Sequence, residues 1–224
     1  MNSSDPTVAY YDAKAQSFFA ATVDVDMSSL YEPFLRELPA GAAILDAGCG
    51  SGRDARAFRE RGYAVTALEP SAALAALAEE YCGLTVEIRR FQDIDWSGRF
   101  DGIWACASLL HVPLAELPQV LRRLAQALRP GGTLYASLKY GRGEREQGGR
   151  WFTDLDNAGL EELLSLVPML KVVKSWTSAD RRPDREGERW LNALLSRRPT
   201  LSTKIGRSAD LVHLQDSCHQ WRSG

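Results

Sequence analysis

Apolar positions follow two different periods along most of this chain. Short apolar runs bounded by polar residues predict strands, and stretches with apolar residues three or four positions apart predict helices between them. The predicted strands are 43–46, 64–68, 84–89, 102–106 and 133–138, and the predicted helices are 53–61, 71–82 and 114–128. Strands separated by helices of this length favour right-handed crossovers and a parallel sheet covered on both faces.

The two ends of the chain depart from this alternation. Helices predicted at 8–20 and 28–38 form an N-terminal cap over residues 1–40. A Gly-rich, charged loop at 140–150 is followed by a helix at 156–167 and by strands at 171–176 and 189–195, the last of which is expected to close the sheet in the antiparallel direction. We therefore predict one α/β domain over residues 1–198, with a Rossmann-like, doubly wound, mostly parallel seven-stranded sheet, and a poorly ordered tail over residues 199–224.

The first predicted strand runs into a turn with alternating glycines. Residues 44–52 read Ile-Leu-Asp-Ala-Gly-Cys-Gly-Ser-Gly, and a predicted helix follows at once. Glycine has no Cβ and tolerates positive φ, so the backbone of such a turn can pass close to a ligand. The next helix directs its unpaired N–H groups toward the same place. Two ligand classes suit this turn: a dinucleotide and S-adenosylmethionine (SAM).

The glycine spacing separates these two classes. A dinucleotide site has the pattern G-x-G-x-x-G, whereas here Arg53 occupies the position of the third glycine. Asp46 precedes the first glycine, where a carboxylate repels a pyrophosphate and attracts an ammonium and a sulfonium. The stretch Asp-Ala-Gly-Cys-Gly-Ser-Gly resembles the first motif of class I SAM-dependent methyltransferases. The resemblance covers about residues 40–140, extends to small bacterial tellurite-resistance and thiol-type methyltransferases, and implies SAM as cofactor and S-adenosylhomocysteine as product.

Candidate cofactor residues follow the predicted strands. Glu69 stands at the end of the second strand, where an acidic residue holds the ribose in the family that this chain resembles. After the third strand that family often has an acid near the adenine; here Arg90 takes its place, so the Phe91 backbone and the side chain of Gln92 or Asp93 are expected instead. The stretch 105–113 resembles the segment beneath the methionine part of SAM. The full candidate set is Asp46, Gly48, Cys49, Gly50, Gly52, Arg53, Glu69, Pro70, Gln92, Asp93, Cys106 and Ala107.

Residues expected around the methyl acceptor come from three segments. His111 is either a base or anion-binding group, or a histidine satisfied by backbone at a helix entry. The first predicted helix carries two tyrosines and, in related methyltransferases, folds over the cofactor as a lid. We predict catalytic roles for His111, Tyr11 and Tyr140, and substrate-binding roles for Tyr10, Lys139 and Arg182. Arg142, Arg145 and Arg150 either meet an anionic substrate or are solvated.

Composition narrows the class of protein. The 224 residues are 45% hydrophobic and 25% charged, with a net charge of −2, as expected for a globular cytoplasmic protein without a strong pull on nucleic acid or membranes. No apolar run approaches the roughly 20 residues that span a bilayer, and the N-terminus has no secretory pattern. The four cysteines have no metal-ligand spacing and are expected to be buried free thiols.

The expected activity is in-line transfer of a methyl group from SAM to a small molecule, by a monomer or homodimer. Residues 1–40 carry six acids and two bases, which disfavours phosphate contacts around the cleft. A tRNA or DNA methyltransferase remains an alternative, because residues 139–150 have four basic residues and two acids. A SAM-binding module without catalysis is a third possibility.

Overall fold

The computed structural model describes residues 5–182, 185 and 187–199. Six α-helices have the bounds α1 Pro6–Thr22, α2 Ser28–Leu35, α3 Arg53–Glu60, α4 Ala72–Cys82, α5 Leu117–Ala127 and α6 Asn157–Ser165. The strands are β1 Ala43–Ala47, β2 Ala64–Leu68, β3 Val86–Glu87, β4 Phe100–Ala105, β5 Leu128–Lys139, β6 Gly143–Gln147, β7 Arg150–Asp154, β8 Leu170–Ala179 and β9 Arg189–Arg197. Single 3-10 turns lie at Phe91–Asp93 and Leu109–His111.

Seven strands form one sheet in the order β3-β2-β1-β4-β5-β9-β8. Strands β1 to β5 pair in parallel, and β9 runs antiparallel to both β5 and β8. The predicted fold, a mostly parallel sheet with an antiparallel closing strand and an N-terminal helical lid, is confirmed. The strand order reverses between β1 and β4, and open α/β sheets bind ligands beyond the carboxyl ends of strands at such a point.

Local sequence signals fix where the helices around this point begin. The Asp5 carboxylate accepts the Thr7 N–H at 2.9 Å and caps α1, whose first residue is proline. Ser71 caps α4 by accepting the Leu74 N–H at 3.2 Å. The two capped helices contact each other, because the Asp12 carboxylate of α1 accepts the hydroxyl of Ser71, the cap of α4, at 2.6 Å.

A buried aromatic and polar cluster fixes α2 and α3 on one face of the sheet. The Trp104 ring of β4 stacks on Tyr135 of β5 with 3.9 Å between centroids. The Asp54 carboxylate of α3 accepts the Trp104 indole N–H at 2.8 Å and the Tyr31 hydroxyl at 2.6 Å. Because a buried carboxylate needs several donors to stay charged, this cluster positions the start of α3 directly after the glycine turn.

Two predicted elements differ from the structure. The loop predicted at 140–150 is wrong: residues 143–154 form a β-hairpin, β6 and β7, whose two-residue turn is Gly148-Gly149, both at positive φ. Charged residues on both faces of β6 hid the period of two. The third strand is shorter than predicted because only Val86 and Glu87 pair with β2, and Ile88 is 64% exposed.

Several expectations fall outside the described residues. The tail lies there except for its first residue, so its predicted disorder stays a prediction, as does the state of Cys218. Cys49 and Cys82 are buried free thiols, and Cys106 is a half-buried one. Among the helices of the described residues, none combines the length and apolarity that a membrane span requires.

Candidate active site

A cavity of about 730 Å³ lies beyond the carboxyl ends of four neighbouring strands. Its wall includes the turns that follow β1, β2, β4 and β5. Helix α1 and the β6–β7 hairpin contribute the other side, where the Thr7 hydroxyl accepts the Trp151 N–H at 3.1 Å and links the two. The cavity is therefore built at the switch point of the sheet and is covered by the N-terminal helix.

The glycine turn forms the cavity wall after β1 at positions where a side chain does not fit. Gly48, Gly50 and Gly52 have φ values of 79°, 56° and 75°. A Cβ on Gly48 would lie 2.6 Å from the Ser108 Cβ, and one on Gly52 would lie 2.9 Å from the Ala78 carbonyl oxygen. At Gly48 and Gly52, glycine is therefore required both by the positive φ and by the close approach of Ser108, which follows β4, and of α4.

Glu69 lies after β2 and faces this turn. Its two carboxylate oxygens accept the Gly50 and Ser71 N–H groups, each at 3.1 Å. Burial raises the pKa of this carboxyl group to about 7. Each oxygen retains a free lone pair beside the cavity, and such a pair of acceptors suits two neighbouring hydroxyl groups of a ligand.

Two aspartates behind and beside the turn differ in their partners. Arg53 donates to Asp54 at 2.6 Å, and although burial opposes the Asp54 charge, this guanidinium holds the pKa of Asp54 below its ordinary value. Asp46 is buried, and its Oδ2 has no hydrogen-bond partner among the described residues. Burial, followed by the charge of Asp54, raises the pKa of Asp46 well above its ordinary value.

His111 is held on both ring nitrogens. Its Nδ1 lies 2.7 Å from the Trp151 carbonyl oxygen, and its Nε2 lies 2.8 Å from the Tyr11 hydroxyl. A carbonyl oxygen only accepts, so Nδ1 carries the proton and Nε2 accepts the Tyr11 O–H. Burial lowers the pKa of His111 to about 4, so the ring is neutral near pH 7. The pair is thus a neutral hydrogen-bonded chain that ends at a backbone carbonyl.

The central segment of the chain is similar to a family of known proteins. Its match is to the family described as "Methyltransferase domain". Residues 44–132 match that family. A ubiquinone biosynthesis O-methyltransferase of Nitrobacter winogradskyi is 38% identical over 103 residues, which are 44% of this chain and 39% of that protein. The protein of the same name from Xanthomonas axonopodis pv. citri is 33% identical over 106 residues, 44% of each chain. The match spans less than half of the length of these curated relatives.

A solved structure extends the fold comparison beyond residues 44–132. The 1,6-didemethyltoxoflavin-N1-methyltransferase of Burkholderia thailandensis, solved with 1,6-didemethyltoxoflavin and S-adenosylhomocysteine bound, superposes with a TM-score of 0.71 at 24% identity. The superposition covers 85% of this chain and 87% of that one. Because 85% of the chain is more than residues 44–132 contain, the shared fold extends beyond the matched segment.

Most of the candidate residues line the cavity. Those on its wall are Tyr11, Gly48, Cys49, Gly50, Arg53, Glu69, Pro70, Gln92, Cys106, Ala107, His111, Lys139, Tyr140 and Arg182. The structure thus brings residues from seven separate segments to one space. Their assigned roles toward cofactor and acceptor remain predictions.

Four candidates stand off the wall: Tyr10, Asp46, Gly52 and Asp93. Gly52 packs on Ala78, and the exposed Asp93 side chain pairs with Arg90 at 3.3 Å. The Tyr10 ring lies against Arg150, whose guanidinium carbon is 4.4 Å from its centroid.

The predicted substrate cations at the far end of the cavity already have acidic partners. Lys139 lies 3.5 Å from the Asp180 carboxylate, pairs with Glu188, and has its ammonium 4.3 Å from the Trp190 centroid. Burial lowers the pKa of Lys139 to about 8. Arg182 donates to Asp180 at 2.6 Å.

Sequence patterns missed Trp151 and Phe152 of the hairpin and left open whether Arg150 meets an anionic substrate. Arg150 and Phe152 line the cavity, and Trp151 supplies the carbonyl that orients His111. No alternation marks residues 150–154, because Phe152 and Thr153 are adjacent and both buried, so the sequence offered no signal of period two here.

Proposed function

We propose that this protein transfers a methyl group from SAM to a small-molecule acceptor held in the cavity. The observation that carries the proposal is the position of Glu69. A carboxylate after β2, bonded to Gly50 of the glycine turn and lining the same cavity, is suited to the ribose diol of an adenosine ligand. The absence of a third glycine in the helix, where Arg53 stands, favours SAM over a dinucleotide.

The residues present fit the cofactor. Glu69 would hold the ribose, the backbone of Gly48 and Gly50 would pass beside the methionine part, and Phe91 would cover the base. Asp46, whose buried Oδ2 has no hydrogen-bond partner among the described residues, lies behind this turn and off the cavity wall, so it would act on the cofactor ammonium through the turn and not by direct contact. When bound, SAM supplies an electrophilic methyl group on a sulfonium, and the protein's contribution is chiefly alignment.

The acceptor side of the cavity is formed by Tyr11, His111 and Phe152. A protonated acceptor would donate to the Tyr11 oxygen while the Tyr11 proton moves to His111 Nε2, which already accepts it. The Trp151 carbonyl stabilises the ring through Nδ1–H. An acceptor that arrives as an anion needs no such relay, and for it the pair acts by position alone.

The class of acceptor is argued from charge and from the relatives. Curated relatives are named for O-methylation and the structural relative for N1-methylation, each of a small molecule. The resemblance to tellurite-resistance and thiol-type enzymes adds thiols and tellurite to the acceptors worth testing. Six cations of the described cavity wall have carboxylate partners: Arg53, Arg90, Lys139, Arg145, Arg182 and Arg185. This pairing leaves little free positive charge for the phosphates of a nucleic acid.

Calorimetric titration with SAM, S-adenosylhomocysteine and NAD tests the cofactor assignment. SAM is expected to bind and NAD is not; binding of NAD with no binding of SAM would reject the proposal. A screen of phenols, catechols, amines, thiols and tellurite, assayed by release of S-adenosylhomocysteine, then tests catalysis. Tight SAM binding with no turnover on any acceptor would favour the non-catalytic module.

The Tyr11→Phe variant tests the relay. For an acceptor that is a neutral hydroxyl, loss of the relay is expected to lower kcat by about 100-fold, within the range of general acid–base catalysis. Tyr63→Phe, at a half-buried tyrosine that does not line the cavity, is the matched control. An unchanged kcat in Tyr11→Phe would remove this pair from the chemistry.

A further inference from the structure

Arg150 differs from the paired cations of the cavity wall. In the described part of the chain no carboxylate oxygen lies within ion-pair distance of its guanidinium, and its buried Nε has no hydrogen-bond partner. Arg145, on the facing strand of the same hairpin, pairs with Asp154. A buried N–H of a charged group without an acceptor is costly, so its retention on a cavity wall points to a ligand that supplies one.

Aromatic rings hold this guanidinium in place. Its central carbon lies 4.4 Å from the Tyr10 centroid, 5.1 Å from that of Phe152 and 5.9 Å from that of Tyr11. Arginine stacks on aromatic faces and keeps its N–H edge for a planar anion, which it binds through two parallel hydrogen bonds. The rings therefore orient Arg150 without neutralising it.

The neighbouring groups do not supply the missing charge. Tyr11 and His111 form a neutral pair whose hydrogen bonds are satisfied by each other and by the Trp151 carbonyl. The wall carboxylates of the described residues have other partners. Asp54, Asp154, Asp180 and Glu188 pair with Arg53, Arg145, Arg182 and Lys139, while Asp5 and Glu69 accept backbone N–H groups. Arg181 and Arg189, the other wall arginines with no carboxylate partner among the described residues, donate to the hydroxyls of Ser29 and Thr177.

We propose that Arg150 recognises a carboxylate on the methyl acceptor, so that the substrate class is a small planar carboxylic acid. The proposal rests on the function proposed above and names the acceptor of that same site. Phe152 and Tyr11 would contact the body of the acid, while its carboxylate meets the N–H edge of Arg150 next to the Tyr11–His111 pair.

Direct binding tests this without requiring turnover. The probes are benzoate, 4-hydroxybenzoate and 3,4-dihydroxybenzoate with their neutral primary amides, titrated calorimetrically into the protein with and without saturating S-adenosylhomocysteine. The acids are expected to bind at least about tenfold more tightly than their amides. Arg150→Met is expected to weaken the acids by about ten- to a hundredfold and to leave the amides unchanged, and Arg150→Lys is expected to give an intermediate loss.

Arg142→Met is the matched control, because it removes the same charge from the same segment at an exposed arginine off the cavity wall. Melting curves verify that the variants are folded. Any one of three results would overturn the proposal: equal binding of acids and amides, full affinity for the acids in Arg150→Met, or no binding by any acid of the panel. Acid binding through Arg150 in a protein that does not bind SAM would instead reject methyl transfer and leave the anion site standing.

Discussion

Replacement of Glu69 by Gln tests the central carboxylate of the site. The change keeps the size of the side chain and one of its acceptor atoms but removes the titrating group. In the folded protein burial raises the Glu69 pKa to about 7 from an ordinary value of 4.5. A carboxyl group with a raised pKa stabilises the fold fully below its unfolded-state pKa, and this contribution is lost as the pH rises through the folded-state value.

The magnitude follows from the two pKa values. Their difference of about 2.5 corresponds to about 3 kcal/mol, because one pKa unit is worth about 1.4 kcal/mol. Between pH 5 and pH 8 the linkage relation gives a loss of about 2.5 kcal/mol in the unfolding free energy of the parent relative to Glu69→Gln. Glu69 is only 5% exposed, so solvent screening does not reduce this figure much.

Urea unfolding at pH 5, 6, 7 and 8 measures the difference in the absence of cofactor. Glu161→Gln, at an exposed glutamate of α6, is the control and should show no such trend. A difference between parent and Glu69→Gln that stays constant within about 0.5 kcal/mol over this pH range would refute the argument that burial dominates this carboxyl group.

Cofactor binding provides the second measurement on the same residue. Hydroxyl groups of a bound ribose donate to an ionised carboxylate and favour that form. SAM should therefore bind the parent more tightly at pH 8 than at pH 6. Glu69→Ala should weaken SAM binding by at least about tenfold, or about 1.4 kcal/mol. An Ala variant that titrates like the parent would remove Glu69 from the cofactor site.

Two further predictions concern the packing that holds the site. Gly52→Ala should destabilise the fold by about 2–4 kcal/mol, because the new Cβ meets the Ala78 carbonyl oxygen at 2.9 Å in addition to the cost of positive φ. The control Gly62→Ala, at positive φ with open space around it, should cost about 1–2 kcal/mol. Equal losses of unfolding free energy in urea would contradict the close contact at Gly52. Asp54→Asn should cost about 3 kcal/mol because it leaves the Arg53 charge buried without its partner. Glu60→Gln, which breaks the exposed pair with Arg56, should leave the unfolding free energy nearly unchanged. Equal losses in the two variants would show that the buried network contributes little.

The central half of the fold follows from the sequence because its signals are local. Apolar runs separated by amphipathic stretches specify strands and helices, and parallel pairing then leaves few arrangements. The glycines at 48, 50 and 52 and the acid at 69 could be placed at one edge of the sheet, because the carboxyl ends of parallel strands share that edge. The cavity wall contains Glu69 and the first two of these glycines.

Pairings between distant segments were decided only by the tertiary structure. The hairpin at 143–154 carries charge on both faces of its first strand, so no periodicity marked it. It brings Arg150 against Tyr11 of α1 and Trp151 against His111, 40 residues earlier in the chain. The tautomer of His111 and the unpaired state of the Arg150 Nε depend on these contacts. The periodicity of apolar residues in the sequence shows which face of a helix or strand is apolar. The partner of a buried polar atom instead depends on which distant segment the fold brings beside it. For this reason the cofactor turn was predictable from the sequence and the acceptor wall was not.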